Sequence, residues 1–147
     1  MALSENADIP LCLMELGLGT ENWGPTTDTY ENLSANWAGT SPCPTEEEME
    51  NAWEIVNARR QMAKMRDERN ARIAAIEWRI SRYKSQIDGN LTPTESSSKI
   101  EEIYQYMQDL RDMPQDNPNV EDEDDYNALV WPIVPSLTSS SSSSSSQ

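Results

Sequence analysis

The side chains able to do chemistry in this chain are carboxylates and little else. Asp and Glu number 26, there is no His, and the two cysteines, Cys12 and Cys43, stand far apart. Nucleophilic catalysis on a Ser/His/Asp or Cys/His plan needs an imidazole to take the proton, and the chain has none. A Gly-rich phosphate loop is missing, and no His/Cys cluster has the spacing of a metal site. The densest acidic run, Glu121–Asp125, lacks the turn Gly and the later Glu of a calcium loop and reads as a solvated linker. Two carboxylates acting as acid and base need a pocket that holds them on either side of a substrate. Here they fall on expected solvent faces and linkers. The sequence reads as a non-enzyme with no cofactor and no metal. The two cysteines read as free thiols, because a chain without a secretory signal is a poor setting for a bridge.

With chemistry set aside, the organising element is the stretch Thr45–Asp88, which contains no Gly or Pro and is rich in good helix formers. Thr45 and Glu48 have capping-box spacing, and Glu46, Glu47, Glu48 and Glu50 favour the positive end of a helix dipole. Gly89-Asn90 is expected to stop the helix, with Gly accepting the left-handed conformation. Such a helix is about 65 Å long at about 1.5 Å per residue, and it needs a partner to cover its apolar positions. Ile73, Ile76, Ile80, Tyr83 and Ile87 follow the 3-4-3-4 spacing of a coiled-coil seam. Upstream, Met62, Met65 and Ile73 fit only with a stutter at Arg69, and Met49, Trp53 and Val56 form a separate stripe. Two compatible readings stay open: one rigid arm carrying two sticky patches, or a hairpin in which the next helix covers the seam at one end.

That next helix is expected from about Ser98 to Met113, ended by Pro114, after a hinge in the Thr/Pro/Ser-rich loop. Its apolar face is Ile100, Ile103, Tyr104, Met107 and Leu110, four of which would meet Ile87, Tyr83, Ile80 and Ile76 in an antiparallel pair. Residues 1–44 read as a small separate unit, with Trp23, Tyr30, Leu33 and Trp37 pinning a short β-hairpin or looped segment. Residues 116–135 are an acidic linker followed by the Pro-interrupted apolar tip Leu129–Pro135, and residues 136–147 form a serine-rich tail expected to be disordered. The fold class is therefore mainly α: a long helix, a shorter antiparallel helix, a small irregular or β-hairpin N-terminal unit and an extended C-terminal tail.

Charge and hydropathy limit the partners. The net charge is −15, with 36% hydrophobic residues, and the mean hydropathy is −0.76. Nine of the eleven Lys and Arg lie between Arg59 and Lys84 against three acids, so that stretch carries +6 and the remainder −21. Nucleic acid is not expected as a partner of so acidic a chain, and no segment is apolar for long enough to span a membrane. The N-terminus lacks the positive region of a signal peptide and is expected to stay uncleaved. The basic stretch is either a solvated helix face laced with i,i+4 pairs such as Glu68 to Arg72, or a surface for an acidic partner.

Three segments carry a resemblance: Arg66–Gln86 with its single Trp, Ile103–Gln115 ending in Leu-Arg-Asp-Met-Pro, and Leu129–Pro135 with its Val-Trp-Pro. Their order resembles that of bacteriophage tail fibre assembly proteins, or tail assembly chaperones. Trp23, the Tyr30, Leu33, Trp37 run and Pro44–Glu48 look similar too, so the likeness covers most of the chain outside the serine tail. It implies a non-enzymatic factor, in the host cytoplasm during assembly, that binds tail fibre chains and helps them fold, trimerise or attach. On that reading Trp78, Ile80, Tyr83 and Trp131 contact the fibre or close the hairpin, while Arg72, Arg79 and Arg82 steer the encounter. Pro132 beside Trp131, and Trp53 on the upstream stripe, complete the expected partner-binding set. The alternative is a structural linker or cap of the fibre or baseplate, retained in the virion tail, with the long helix as a self-associating strut. A third reading is an acidic adaptor that recruits a basic partner through Glu121–Asp125.

Overall fold

Thr45 and Glu48 close the capping box that their spacing requires. The Thr45 N–H donates to Glu48 Oε1 at 2.8 Å, and the Glu48 N–H donates to Thr45 Oγ1 at 3.1 Å. In the computed structural model, which describes residues 3–21 and 28–137, the helix so begun runs over Glu46–Asp88. We number the elements α1 (Ile9–Glu15), α2 (Tyr30–Asn36), α3 (Glu46–Asp88), α4 (Ser97–Asp116) and α5 (Glu123–Asn127). Helix accounts for 64% of the described residues, which contain no strand, so the mainly helical class and the pairing of the long helix with a shorter one hold. The chain divides into two compact units, one of Met1–Ala63 with Asn119–Asn127, the other of Lys64–Pro118 with Ala128–Gln147.

In the first unit the N-terminal segment is helical where a β-hairpin was one expectation. Asp8 caps α1 by accepting from the Leu11 N–H at 3.1 Å, and Thr29 caps α2 by accepting from the Asn32 N–H at 3.1 Å. Gly17 ends α1 at φ 80°, and the Leu18 N–H reaches the Leu13 carbonyl at 2.7 Å, a left-handed helix stop that Gly makes without strain. These helices bury Ile9, Cys12, Leu13 and Leu33 against Met49, Ala52, Trp53 and Val56 of α3. The helices of residues 1–44 pack on that stripe, and the first compact unit takes in the start of α3 as far as Ala63. Tyr30 donates to the Pro44 carbonyl and Trp37 Nε1 to the Ser41 carbonyl, both at 2.8 Å, which fixes the connection into α3. Trp23 and the tail residues 138–147 lie outside the described residues.

In the second unit the seam of α3 is covered by α4. Ile76 and Ile80 are buried with Ile100, Ile103, Tyr106, Met107 and Leu110, and Ile73, Tyr83 and Trp131 pack at the edge. Of the expected contacts, Ile87 drops out at 49% exposure, and Tyr104, exposed at 46%, gives its place on the α4 face to Tyr106. The helix stop after α3 also differs in detail. The left-handed residue is Asn90, at φ 62°, and the Leu91 N–H donates to the Gln86 carbonyl at 2.8 Å. Asn is the one common non-Gly residue that tolerates this conformation, which is why it takes the role beside a Gly. Pro114 does not end α4, which continues to Asp116. The Asn117 backbone and side-chain N–H groups both donate to the Met113 carbonyl, at 3.0 and 2.9 Å, and hold the last turn closed.

Candidate functional site

The loop between α3 and α4, expected as a hinge, is pinned by a buried carboxylate. Glu95 is 3% exposed and Arg79 is 2% exposed, and the two form a bidentate pair in which Arg79 Nε donates to Glu95 Oε2 at 2.8 Å and Arg79 Nη2 to Glu95 Oε1. Arg82 adds a bond to the same carboxylate at 3.1 Å. Hydrogen bonding from Arg79, with the charges of Arg79 and Arg82, holds the Glu95 carboxyl below the usual range, although burial opposes the shift. Thr94 is tied as well, its N–H donating to Gln86 Oε1 at 2.9 Å.

Arg79 also anchors the C-terminal segment. Its Nη1 donates to the Pro135 carbonyl at 2.8 Å and its Nη2 to the Ser136 carbonyl at 2.7 Å. Lys99 Nζ reaches Ser136 Oγ at 3.2 Å. A planar guanidinium with five donors suits this task, since one side chain can serve a carboxylate and two main-chain carbonyls together. Upstream, the Arg72 guanidinium lies 4.5 Å from the centre of the Trp131 ring while its Nε donates to Glu68 Oε2 at 2.8 Å. The segment from Ala128 to Leu137 is thus strapped across the helical pair.

The strap leaves much of its own apolar surface outside. Val130 is 85% exposed, Ile133 90%, Val134 53% and Leu137 59%, and Trp78 of α3 is exposed at 49%. Beside Trp78, Val134 and Leu137 lies a cavity of about 240 Å³, walled also by Ala75, Ile76 and Tyr106, with Arg72 and Arg79 at its margin. The Arg82 guanidinium sits 4.9 Å from the Trp78 ring centre. The arrangement has no nucleophile or paired carboxylate facing a cavity; what it offers is an apolar recess edged by guanidiniums.

The structure sorts the expected binding residues into three groups. Trp78, Trp131, Pro132, Tyr83, Arg72 and Arg82 keep at least part of their surface accessible. Ile80 and Arg79 are buried, the first in the core and the second by its bonds to Glu95 and the strap, so neither presents a side chain to a partner. Trp53 is 6% exposed, packed in the first unit's core, with an edge on a recess of that unit. Glu95, Lys99 and Tyr106 were not singled out from sequence. A lone acid in a Thr/Ser loop carries no periodic signal, and only the folded hairpin brings it to two arginines.

The first unit has a larger and more polar recess of about 540 Å³, lined among others by Asn57, Arg60, Gln61, Asp122 and Asp124. Among the described residues no group of three or more His, Cys, Asp or Glu is placed to hold a metal ion, and no helix is long and apolar enough to cross a membrane. No protein-family model, curated protein or solved structure matches this chain.

Proposed function

We propose that this protein is a phage tail fibre assembly chaperone, which binds fibre chains and assists their folding, trimerisation or attachment. The observation that carries the reading is the uncovered apolar surface of the second unit, Trp78 with Val130, Ile133, Val134 and Leu137, on a strap clamped from beneath by Arg79. Single exposed apolar residues are ordinary, but four on one short strap, two of them beside the exposed Trp78, mark on a chain this acidic a surface kept for another protein. Fibre subunits expose strand edges and apolar strips before they trimerise, and such surfaces aggregate. Covering them with an apolar patch, on a body of net charge −15, hides the strip and keeps the complex apart from others by repulsion. The order of the three segments that resemble tail fibre assembly proteins supports the same reading.

The test is capture of a fibre subunit by purified protein carrying Trp78→Ala with Ile133→Asp. Both side chains are exposed, so the thermal melt should stay within a few degrees while capture falls at least about tenfold. Undiminished capture by the double variant would exclude this surface as the binding site.

A further inference from the structure

We propose that the cavity beside Trp78 receives one bulky apolar side chain from an extended, acidic segment of the bound chain. The inference rests on the reading that this unit captures another chain, and it adds the chemistry by which that chain is chosen. At about 240 Å³ the cavity exceeds the space of about 150 Å³ known to hold a benzene ring, so a Leu, Ile or aromatic side chain fits. Its walls, Ala75, Ile76, Trp78, Tyr106, Val134 and Leu137, offer water in this open recess few hydrogen-bond partners, and an apolar group is favoured there.

The charge at the margin selects what flanks that side chain. Arg72 and Arg82 keep 31% and 33% of their side-chain surface exposed; Glu95, the carboxylate that serves Arg82, is 1% exposed, and Glu68, which pairs with Arg72, is 41% exposed. At Arg82 the anion is hidden and the cation faces outward. From Lys64 to Lys84, α3 carries seven Lys and Arg against Asp67, Glu68 and Glu77, so this stretch of α3 has the same sign. A peptide with Asp or Glu beside its apolar residue meets complementary charge there, and a Lys-flanked peptide meets repulsion.

Other occupants fit less well. Residues 138–147 are Thr, Ser and Gln, none of which fills an apolar recess. A second copy brings another −15, and like net charge opposes the approach.

The experiment is fluorescence polarisation on the full-length protein. The probes are a labelled peptide with a Leu-Ile-Leu run between aspartates and its lysine-flanked counterpart. The aspartate peptide should bind at least about tenfold more tightly than the lysine peptide, and its affinity should drop as salt rises from about 0.05 to 0.5 M. Ala75→Trp fills the cavity from the α3 wall and Val134→Trp fills it from the strap, and whichever keeps the parent thermal melt should weaken the aspartate peptide at least about tenfold. Equal binding of the two peptides, absence of binding, or indifference to the filled cavity would each overturn the proposal. A dimer in light scattering that Ala75→Trp converts to monomer would overturn it in favour of a second copy. Capture of a fibre chain that ignores the filled cavity defeats only this inference. Peptide binding without fibre capture defeats only the assignment of the partner.

Discussion

Glu95 stands between two guanidiniums, out of water, and its removal leaves Arg79 buried with only main-chain carbonyls for partners. Breaking a buried pair from one side is far more damaging than never having had it, by about 3–5 kcal/mol. Glu95→Ala should therefore destabilise the second unit by that amount in a denaturant melt, while Glu102→Ala, which removes a half-exposed partner of Lys99, should change stability by less than about 1 kcal/mol. The Glu95 carboxyl is lowered in the fold, so its contribution is fully present above the ordinary Glu value of about 4.3 and is lost as pH falls through the lower folded value. The stability gap between the parent and Glu95→Ala should stay constant above about pH 5 and narrow below about pH 4. A gap that widens on acidification would contradict the assignment. The cysteines give a second residue-level prediction. Cys12 is fully buried and its thiol is pushed up to about 11 by desolvation, with Asp8 and Glu50 adding to the shift. Maleimide at neutral pH should label the half-buried Cys43 in the native protein and Cys12 only on unfolding.

The helix boundaries show what local patterns can and cannot fix. The capping box at Thr45 and Glu48 is a contract between residues three apart, and it formed as its spacing required. The seam of Ile76 and Ile80 and the α4 face of Ile100, Ile103, Met107 and Leu110 also followed from periodicity, because one apolar stripe must find another. Periodicity could not choose between Tyr104 and Tyr106, which flank that stripe on opposite sides. The choice is made by the strap, whose Val134 shares the cavity wall with Tyr106, and that contact is distant in sequence. Of the two expectations for residues 1–44, a β-hairpin or a looped segment, the described residues form no strand, and the short helices α1 and α2 are held by the Met49, Trp53, Val56 stripe that follows them. The helix stop was placed correctly and its left-handed residue was not: Gly89 and Asn90 both qualify, and Asn90 takes it. Asn90→Gly should leave stability unchanged or raise it by up to about 1 kcal/mol, and Asn90→Ala should lower it by about 1 kcal/mol, read from chemical unfolding. An Ala variant as stable as the parent would show that φ 62° carries no strain.

Taken as a whole, the molecule spends its chemistry on holding surfaces in place. Its one buried ion-pair cluster among the described residues clamps a loop and a strap, and its cations gather on α3 while the acids spread over the remainder. Composition made the absence of a His-based catalytic set plain. Burial alone separates the arginines: Arg79 is used inward, and Arg72 and Arg82 keep an outer edge. The most direct test of the chaperone account is co-expression with a fibre subunit, followed by size-exclusion chromatography with light scattering on this protein alone and on the mixture. The account predicts fibre that stays soluble only when this protein is present and elutes with it as one complex. Fibre that is soluble and trimeric by itself, beside a self-associated form of this protein, would contradict it.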